Sequence, residues 1–555
     1  MLRPTMLTNK LLLNGVNTVP KSILVLTAVF SLLACTSTGS NKANRNQLND
    51  NSISTSEEFT VQLLGINDFH GQIPDIEQAG GMYQLARHLL AAISNTEEQS
   101  FVLHAGDHVG ASPAESALLQ DEPAIDFLNI MQRYCQALSP NPCQIIGAAG
   151  NHEFDEGSDE MLRLLNGGNH KNGPFIHPKW EGSNYLTLGA NVRDVKTGEL
   201  ILPPYVVHEV NGVAIGFIGI TLDITPEMVI PGIVNNLVFE DQAEVVTHYT
   251  NKLTNEGVNA IVVIVHDGSR DDYYTGNTSS AGSIQMDSRF GQFVQQLPDA
   301  VDIIVSGHSH DFTNAYVNNK NGEQFLVTQA FSSGRAYSDI SITINKQSKD
   351  IVSATAKVVM TDPRLPLELK PSAQATLSQV AQLKYASINY AKEVSEQIIG
   401  VYQAQVGDIL LGKFIADSHM HALQTDLAIM NRGGVRARLK EGEVSWGDLF
   451  AIQPFSNALL ERRYTGEQLL GLISEEAHWS SNVTIDENGN ISLSGQSIVP
   501  DKLYSVAGNA FILSSERFNE GELVVGDDTN ASGIDVDATI SYIKTFEMPF
   551  SLSAK

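Results

Sequence analysis

The sequence predicts a layered α/β domain followed by a smaller α+β domain, and three observations carry that reading. Short apolar runs, among them Phe59–Ile66, Phe101–Ala105, Gln144–Ala149, Tyr185–Ala190, Val213–Ile220, Ala260–Val265, Asp302–Ser306 and Phe325–Thr328, alternate with periodic segments. Met82–Ile93 and Gln242–Asn255 are such segments and read as helices. The alternation stops near Asp362-Pro363, and 371–397 is a polar, helix-favouring stretch without glycine or proline after Pro371. Beyond Ile398 a helix over Gly412–Leu423 is followed by short strands and turn signals such as Glu487-Asn488-Gly489.

Taken in order, the chain opens with a targeting segment. Lys10 and Lys21 precede an apolar run, Ser22–Ala34, that is too short to span a bilayer and fits a signal peptide over 1–34. It ends in Leu32-Leu33-Ala34-Cys35, which resembles a bacterial lipobox. Cys35 is then the lipidation site, and acyl chains hold the protein to the membrane without a transmembrane helix. By resemblance to lipoprotein sorting signals, Thr36 after the cysteine implies the outer membrane, facing periplasm or exterior. Residues 35–58 are rich in Ser, Thr, Asn and Gln and read as a flexible tether. The first domain is expected over 59–363, a connecting helix over 364–397, and the second domain over 398–555.

The net charge of -28, from 63 acidic and 35 basic residues, leaves no basic footprint and argues against a nucleic-acid polymer as partner. Only two cysteines follow Cys35. In an oxidising compartment Cys135 and Cys143 pair locally in the simple reading; two free buried thiols are the alternative.

The ends of five apolar runs carry metal-type ligands. They read Asn67-Asp68-Phe69-His70, Gly106-Asp107-His108, Gly150-Asn151-His152, His266-Asp267-Gly268 and Gly307-His308-Ser309-His310. Asp68 and His70 are two apart, as are His308 and His310, so in an extended chain each pair faces one side. Carboxylate and imidazole donors without thiolates suit Zn, Mn or Fe. Seven ligands suit two divalent ions about 3.5–4 Å apart with one ligand shared. Such a pair lowers the pKa of a bound water towards roughly 7 and clamps a displacement at phosphorus. The third cluster continues to Asp155, a carboxylate placed to orient and charge His152.

At these residues the chain resembles the calcineurin-like metallophosphoesterases, and more closely the 5'-nucleotidase/UDP-sugar hydrolase family. LLGINDFHGQI, VLHAGDHVGASP, AAGNHEFDEG, VIVHDG and IIVSGHSHD stand in the family's order. The resemblance implies a four-layer αββα catalytic domain and a C-terminal substrate-binding domain with the site between them. It implies one ion on Asp68, His70 and His310 and another on Asn151, His266 and His308, with Asp107 bridging. The cofactors are then two divalent ions, Zn, Mn or Co, with Mg as a further choice. His152, paired with Asp155, stabilises the transition state and assists the leaving oxygen. Where His310 stands, relatives often carry Gln or Asn. His108, beside a ligand, is a candidate for the surrounding shell, and His419 and His421 read as structural.

In the second domain the family's glycine-rich turn is Met430-Asn431-Arg432-Gly433-Gly434-Val435-Arg436. Asn431 and Arg436 fit its pattern, and arginine suits phosphate through its bidentate fork. Phe455 and Phe511 match the two aromatics that clamp a nucleobase. Three features depart from the family. Arg432 replaces a glycine, the aspartate-bearing turn after the second aromatic is absent, and Gly400–Gly412 holds no arginine. Arg432 and Arg517 are candidates to supply the missing charge.

The resemblance implies an exported phosphoric ester hydrolase of 5'-nucleotidase type. It releases phosphate from nucleoside 5'-monophosphates by attack of a metal-bound hydroxide, with a small-molecule nucleotide as its partner. The alternatives are a UDP-sugar or 2',3'-cyclic nucleotide phosphodiesterase and, in another class, a non-enzymatic surface protein that binds a ligand.

Overall fold

The computed structural model describes residues 57–270, 274–278, 284–525 and 534–553. The expected signal peptide, Cys35 and the tether as far as Ser56 lie outside the described residues.

The chain enters through β1 (Glu58–Ile66), α1 (Met82–Asn95), β2 (Gln99–Ala105), α2 (Ala114–Ala117) and α3 (Glu122–Ala137). It continues through β3 (Gln144–Ala148), α4 (Ser158–Asn166), β4 (Leu186–Leu188), β5 (Val192–Asp194), β6 (Tyr205–Val210) and β7 (Val213–Ile220). Next come α5 (Thr225–Met228), β8 (Leu237–Phe239), α6 (Gln242–Asn255), β9 (Ala260–Val265), α7 (Arg289–Gln296) and β10 (Ile303–Ser306). The strands β11 (Phe312–Asn318), β12 (Gln324–Ala330), β13 (Ala336–Asn345) and β14 (Asp350–Met360) close this half.

Two six-stranded sheets result, ordered β14-β13-β1-β2-β3-β4 and β11-β12-β10-β9-β7-β6. Their inner faces share one core, with Leu63, Phe101, Leu103 and Ile146 from the first sheet against Phe217, Val262, Ile264 and Val305 from the second. The outer face of the first sheet is covered by α1 and α3, through Leu85, Leu89, Phe127 and Leu128. The outer face of the second is covered by α6 and α7, through Val246, Leu253, Phe290 and Val294. The fold is therefore αββα in four layers. β9 reads AIVVIV and is buried throughout, as a parallel strand covered on both sides must be.

The parallel registers align the strand ends. Ile66 pairs with His104, Ala105 with Ala148, and Val265 with Ser306. The loops that leave β1, β2, β3, β9 and β10 therefore emerge along one edge, where sites of layered α/β folds form.

The helix expected over 364–397 is α8 (Pro371–Ser395). It also completes the outer layer, because Leu377, Val380 and Leu383 join the core under α1 and α3. The second half centres on a five-stranded sheet in the order 477–479, 427–431, 503–509, 459–465, 522–525. Its first helix, α9 (Leu411–Leu423), packs on the 427–431 strand. Among the described residues no helix is long and apolar enough to cross a membrane.

Cys135 and Cys143 form a disulfide that closes a loop with a sequence separation of 8 at the end of α3. Both residues are fully buried. Constraint of so short a loop is worth about 2–3 kcal/mol. Replacing both cysteines by serine is expected to lower the melting temperature of the first domain by a few degrees. Activity should be unchanged, because the loop lies at the opposite end of β3 from Asn151. Calorimetry with a parallel activity assay checks both halves of this expectation.

Candidate dinuclear metal centre and substrate cleft

The ligand-type residues lie beyond the strands, not on them. Asp68 (φ 49°), His70 (50°), Asp107 (49°), His308 (71°) and His310 (59°) all have left-handed backbone. This corrects the extended-chain argument for the paired residues: they are brought together by tight turns. Five such residues without glycine cost of order 1–3 kcal/mol each, a strain that clusters at functional sites. The turns also require close backbone approach. A Cβ on Gly106 would lie 2.6 Å from the Gly150 nitrogen and from His266 Nδ1, and one on Gly150 would lie 2.2 Å from Asp107 Oδ1.

The result is one buried cluster. Asp68, His70, Asp107 and His310 present donor atoms within 4.8 Å of one another, and so do Asp107, His266 and His308. Asp107 belongs to both groups. Asn151 joins the second, its Oδ1 standing 3.1 Å from His266 Nε2 and 3.1 Å from His308 Nδ1. His152 Nδ1 is 2.8 Å from Asp155 Oδ2, and its backbone N–H donates to Asp107 Oδ1 at 2.9 Å.

The donors are aimed inward at one another. His70 Nδ1 donates to the Gly110 carbonyl at 2.8 Å and His266 Nδ1 to the Ala105 carbonyl at 2.7 Å. Each ring therefore turns its Nε2 edge into the cluster. Asp107 Oδ2 is buried without a hydrogen bond, 3.0 Å from His266 Nε2 and 3.9 Å from His70 Nε2. His70 Nε2 and His310 Nε2 are 2.9 Å apart. Converging lone pairs of this kind fit divalent cations, and the N/O donor set suits Zn, Mn or Co.

Electrostatics follow the same arrangement. Burial, then the neighbouring His310, pushes His70 well below its ordinary range. Burial lowers His308 to about 4 and His310 to about 3. These imidazoles are neutral and free to ligate. Burial would lower His266 as well, but the Asp107 carboxylate outweighs it and holds His266 at about 10. Burial opposes ionisation of Asp107, yet His266 and His152 keep it well below the carboxylate range. For His152 burial again acts downward, and Asp155 followed by Asp107 raises it overall.

Two supporting residues carry no ligand signature in the sequence. Buried Glu153 accepts the backbone N–H groups of Asp107 (3.0 Å), His108 (2.7 Å) and Gly150 (2.5 Å), locking two ligand loops together. Asn67 donates to Asp68 Oδ2 at 2.6 Å and accepts from the Ala330 N–H at 2.8 Å. His108 turns away, donating to the Ala124 carbonyl at 2.7 Å and stacking on Phe69. His419 is buried in α9, away from the cluster.

A cavity of about 510 Å3 opens from the cluster between the two halves of the chain. Asn151, His152, Asp155, His308 and His310 line one wall; Asn431, Arg432, Arg436, Phe455, Asn457 and Phe511 line the other. The Phe455 ring stacks on His152 with centroids 5.7 Å apart, and the Arg436 guanidinium lies 5.8 Å from the Phe455 centre. Asn431 Oδ1 accepts from Asn509 at 3.0 Å. Arg432 reaches the cavity while donating to the Glu475 carbonyl. Arg517 instead pairs at 2.7 Å with Glu476, a lining residue, and donates to the Leu472 carbonyl, so its charge is spent on that carboxylate.

Layered sheets, a dinuclear donor cluster on their aligned edge and a capping second domain define a two-domain metallophosphoesterase. Family models agree: Calcineurin-like phosphoesterase matches residues 61–312, and 5'-nucleotidase, C-terminal domain, matches residues 388–518. The chain belongs to the 5'-nucleotidase family of metallophosphoesterases, a family of hydrolases. It is 31% identical over 528 residues to Endonuclease YhcR of Bacillus subtilis (strain 168), covering 89% of this chain and 40% of that protein. It is 30% identical over 460 residues to Cell wall protein Lmo0130 of Listeria monocytogenes, covering 75% and 56% respectively. The chain thus spans about half the length of these relatives. The solved 5'-nucleotidase precursor of Thermus thermophilus shares the fold, with a TM-score of 0.67 and 20% identity over 88% of this chain and 96% of that one.

Proposed function

We propose that the protein removes phosphate from nucleoside 5'-monophosphates at the cluster around Asp107. The observation that carries this reading is the single cavity that joins the cluster, a histidine–aspartate pair, an arginine and two aromatic rings. Its volume suits one mononucleotide.

Asp68, His70 and His310 would hold one divalent ion and Asn151, His266 and His308 the other, with Asp107 shared. Divalent ions held by these residues would supply an acidified water and neutralise charge on the phosphoryl oxygens. Arg436 forms no ion pair among the described residues and faces His70 and His310 closely enough to depress both. It receives a phosphoryl oxygen. His152, kept protonated by Asp155, donates its Nε2 proton to the departing 5'-oxygen. Phe455 and Phe511 take the base between them.

The test is phosphate release from AMP, GMP, CMP and UMP after reconstitution with Zn, Mn, Co or Mg. Absence of release under every metal would overturn the reading and favour a ligand-binding surface protein. Base stacking on one ring is worth about 1–3 kcal/mol. Phe511→Ala is therefore expected to raise KM for AMP about 5- to 150-fold, with little change for ribose 5-phosphate, which has no base.

A second reading is hydrolysis of phosphodiesters, including UDP-sugars or 2',3'-cyclic nucleotides. It is favoured by the relative named an endonuclease, which aligns across both domains. The relative named a cell wall protein supports an envelope location. Lipidation at Cys35 and anchoring to the outer membrane complete that proposal. Cys35→Ala should move the protein from the membrane fraction to the soluble one.

A further inference from the structure

The cleft does not end at the metal cluster. A second cavity, about 490 Å3, begins on its far side, where His70, Ser332, Ser333 and Arg335 line it. It shares His310, Gly433 and Arg436 with the first cavity. A third, about 750 Å3, shares Ile76 and Arg335 with the second and ends at Lys440. The three openings adjoin in series through shared lining residues, with Arg436 common to the first two. A mononucleotide fills only the aromatic side.

The charge in the second half of the groove runs against the rest of the molecule. The chain carries a net charge of -28. Yet Arg335, Arg436 and Lys440 form no ion pair among the described residues, and all three are exposed. Of the two acids along the third cavity, Asp75 is already held by Lys384 at 2.6 Å; Glu77 is the other. Unpaired cations spaced along a groove that starts at a phosphoryl site match a chain of phosphates. The acidic surface around them disfavours a long polymer, so the matching ligand is short.

We infer that the site also takes short oligonucleotides, with the 3'-terminal nucleoside in the aromatic cavity, the scissile phosphodiester at Arg436, and the next phosphate at Arg335. This rests on the reading that the cluster hydrolyses phosphoesters. His152 and Asp155 line the aromatic side alone. The bond that breaks is therefore the one between phosphorus and the 5'-oxygen of the terminal nucleoside. Water supplies the oxygen that bonds to phosphorus. The electron pair of the broken bond goes to the 5'-oxygen, which takes a proton from His152 and leaves as a free nucleoside. The two protons of the water restore His152 and pass to solvent. The phosphate stays on the 3'-oxygen of the arm in the groove.

The probes are the deoxyadenosine trinucleotide and dinucleotide, both with free 5'-hydroxyls, alongside AMP, on the metal-reconstituted protein. The trinucleotide is expected to yield deoxyadenosine and a dinucleotide ending in a 3'-phosphate. Arg335→Ala should lower its kcat/KM about tenfold. The loss should be clearly smaller for the dinucleotide, which has no second phosphate. Calorimetric binding of the trinucleotide to metal-free protein should weaken similarly in Arg335→Ala/Lys440→Ala. Hydrolysis of AMP with neither oligonucleotide cut would overturn the inference and leave the monoesterase reading standing. Failure on AMP as well would overturn both. Release of 5'-AMP from the 3' end, or equal losses on the two oligonucleotides, would overturn the assigned direction or the role of Arg335.

Discussion

Asp107→Ala is expected to abolish bound metal and to lower phosphate release from AMP by more than about 1,000-fold. Loss of a single preorganised donor to a transition state costs about 100- to 1,000-fold. Asp107 stands in both donor groups, so its removal undoes two sites at once. Its Oδ2 is the buried oxygen towards which His266 and His70 point, and no neighbouring group replaces it. The shape of the site should survive better in Asp107→Asn, whose amide oxygen still accepts the His152 backbone N–H. That variant separates charge from packing: it should fold like the parent yet still lose metal. Elemental analysis of the purified variants, set beside kcat/KM, measures both effects. Parental metal content in Asp107→Asn would show that the carboxylate is not a shared ligand.

What could be read from the sequence depended on whether the cause was local. Apolar runs ending in Gly-Asp, Gly-Asn or Gly-His disclosed the strand ends, because a buried parallel strand must be apolar and a tight turn must follow it. β9 and β10 were legible for that reason. β13 and β14 lie outside that signal: they pair antiparallel at the sheet's edge, and Ile340, Ile342 and Ile344 alternate with Ser341 and Thr343 without a Gly-Asp or Gly-His at the strand end. The left-handed backbone of Asp68 and His308 was not legible, since neither position is itself a glycine. Glu153 acts through three backbone N–H groups contributed by two loops, a role that residue identity cannot signal. Arg335 shows the limit most clearly. A net charge of -28 argues against a nucleic-acid polymer, and such a sum does not locate an exposed arginine beside a cavity. Arg517, singled out by its charge alone, proved to be bound to Glu476.

His152→Ala should lower kcat for AMP by about 100- to 10,000-fold while metal content stays unchanged. Its ring is not needed to complete either donor group, and Asn151 beside it is held independently by His266 and His308. The chemistry predicts a dependence on the leaving group. A nucleoside 5'-oxygen leaves poorly without a proton, whereas p-nitrophenolate leaves readily without one. The loss should therefore be large for AMP and much smaller for p-nitrophenyl phosphate. Asp155→Asn should show the same ordering more weakly, because it removes the carboxylate that, against burial, raises His152. If both substrates suffer equally, His152 acts by stabilising charge on the phosphoryl oxygens instead, 4.0 Å from Asp107 Oδ2. Metal loss in His152→Ala would remove it from either role and place it among the residues that hold the ions.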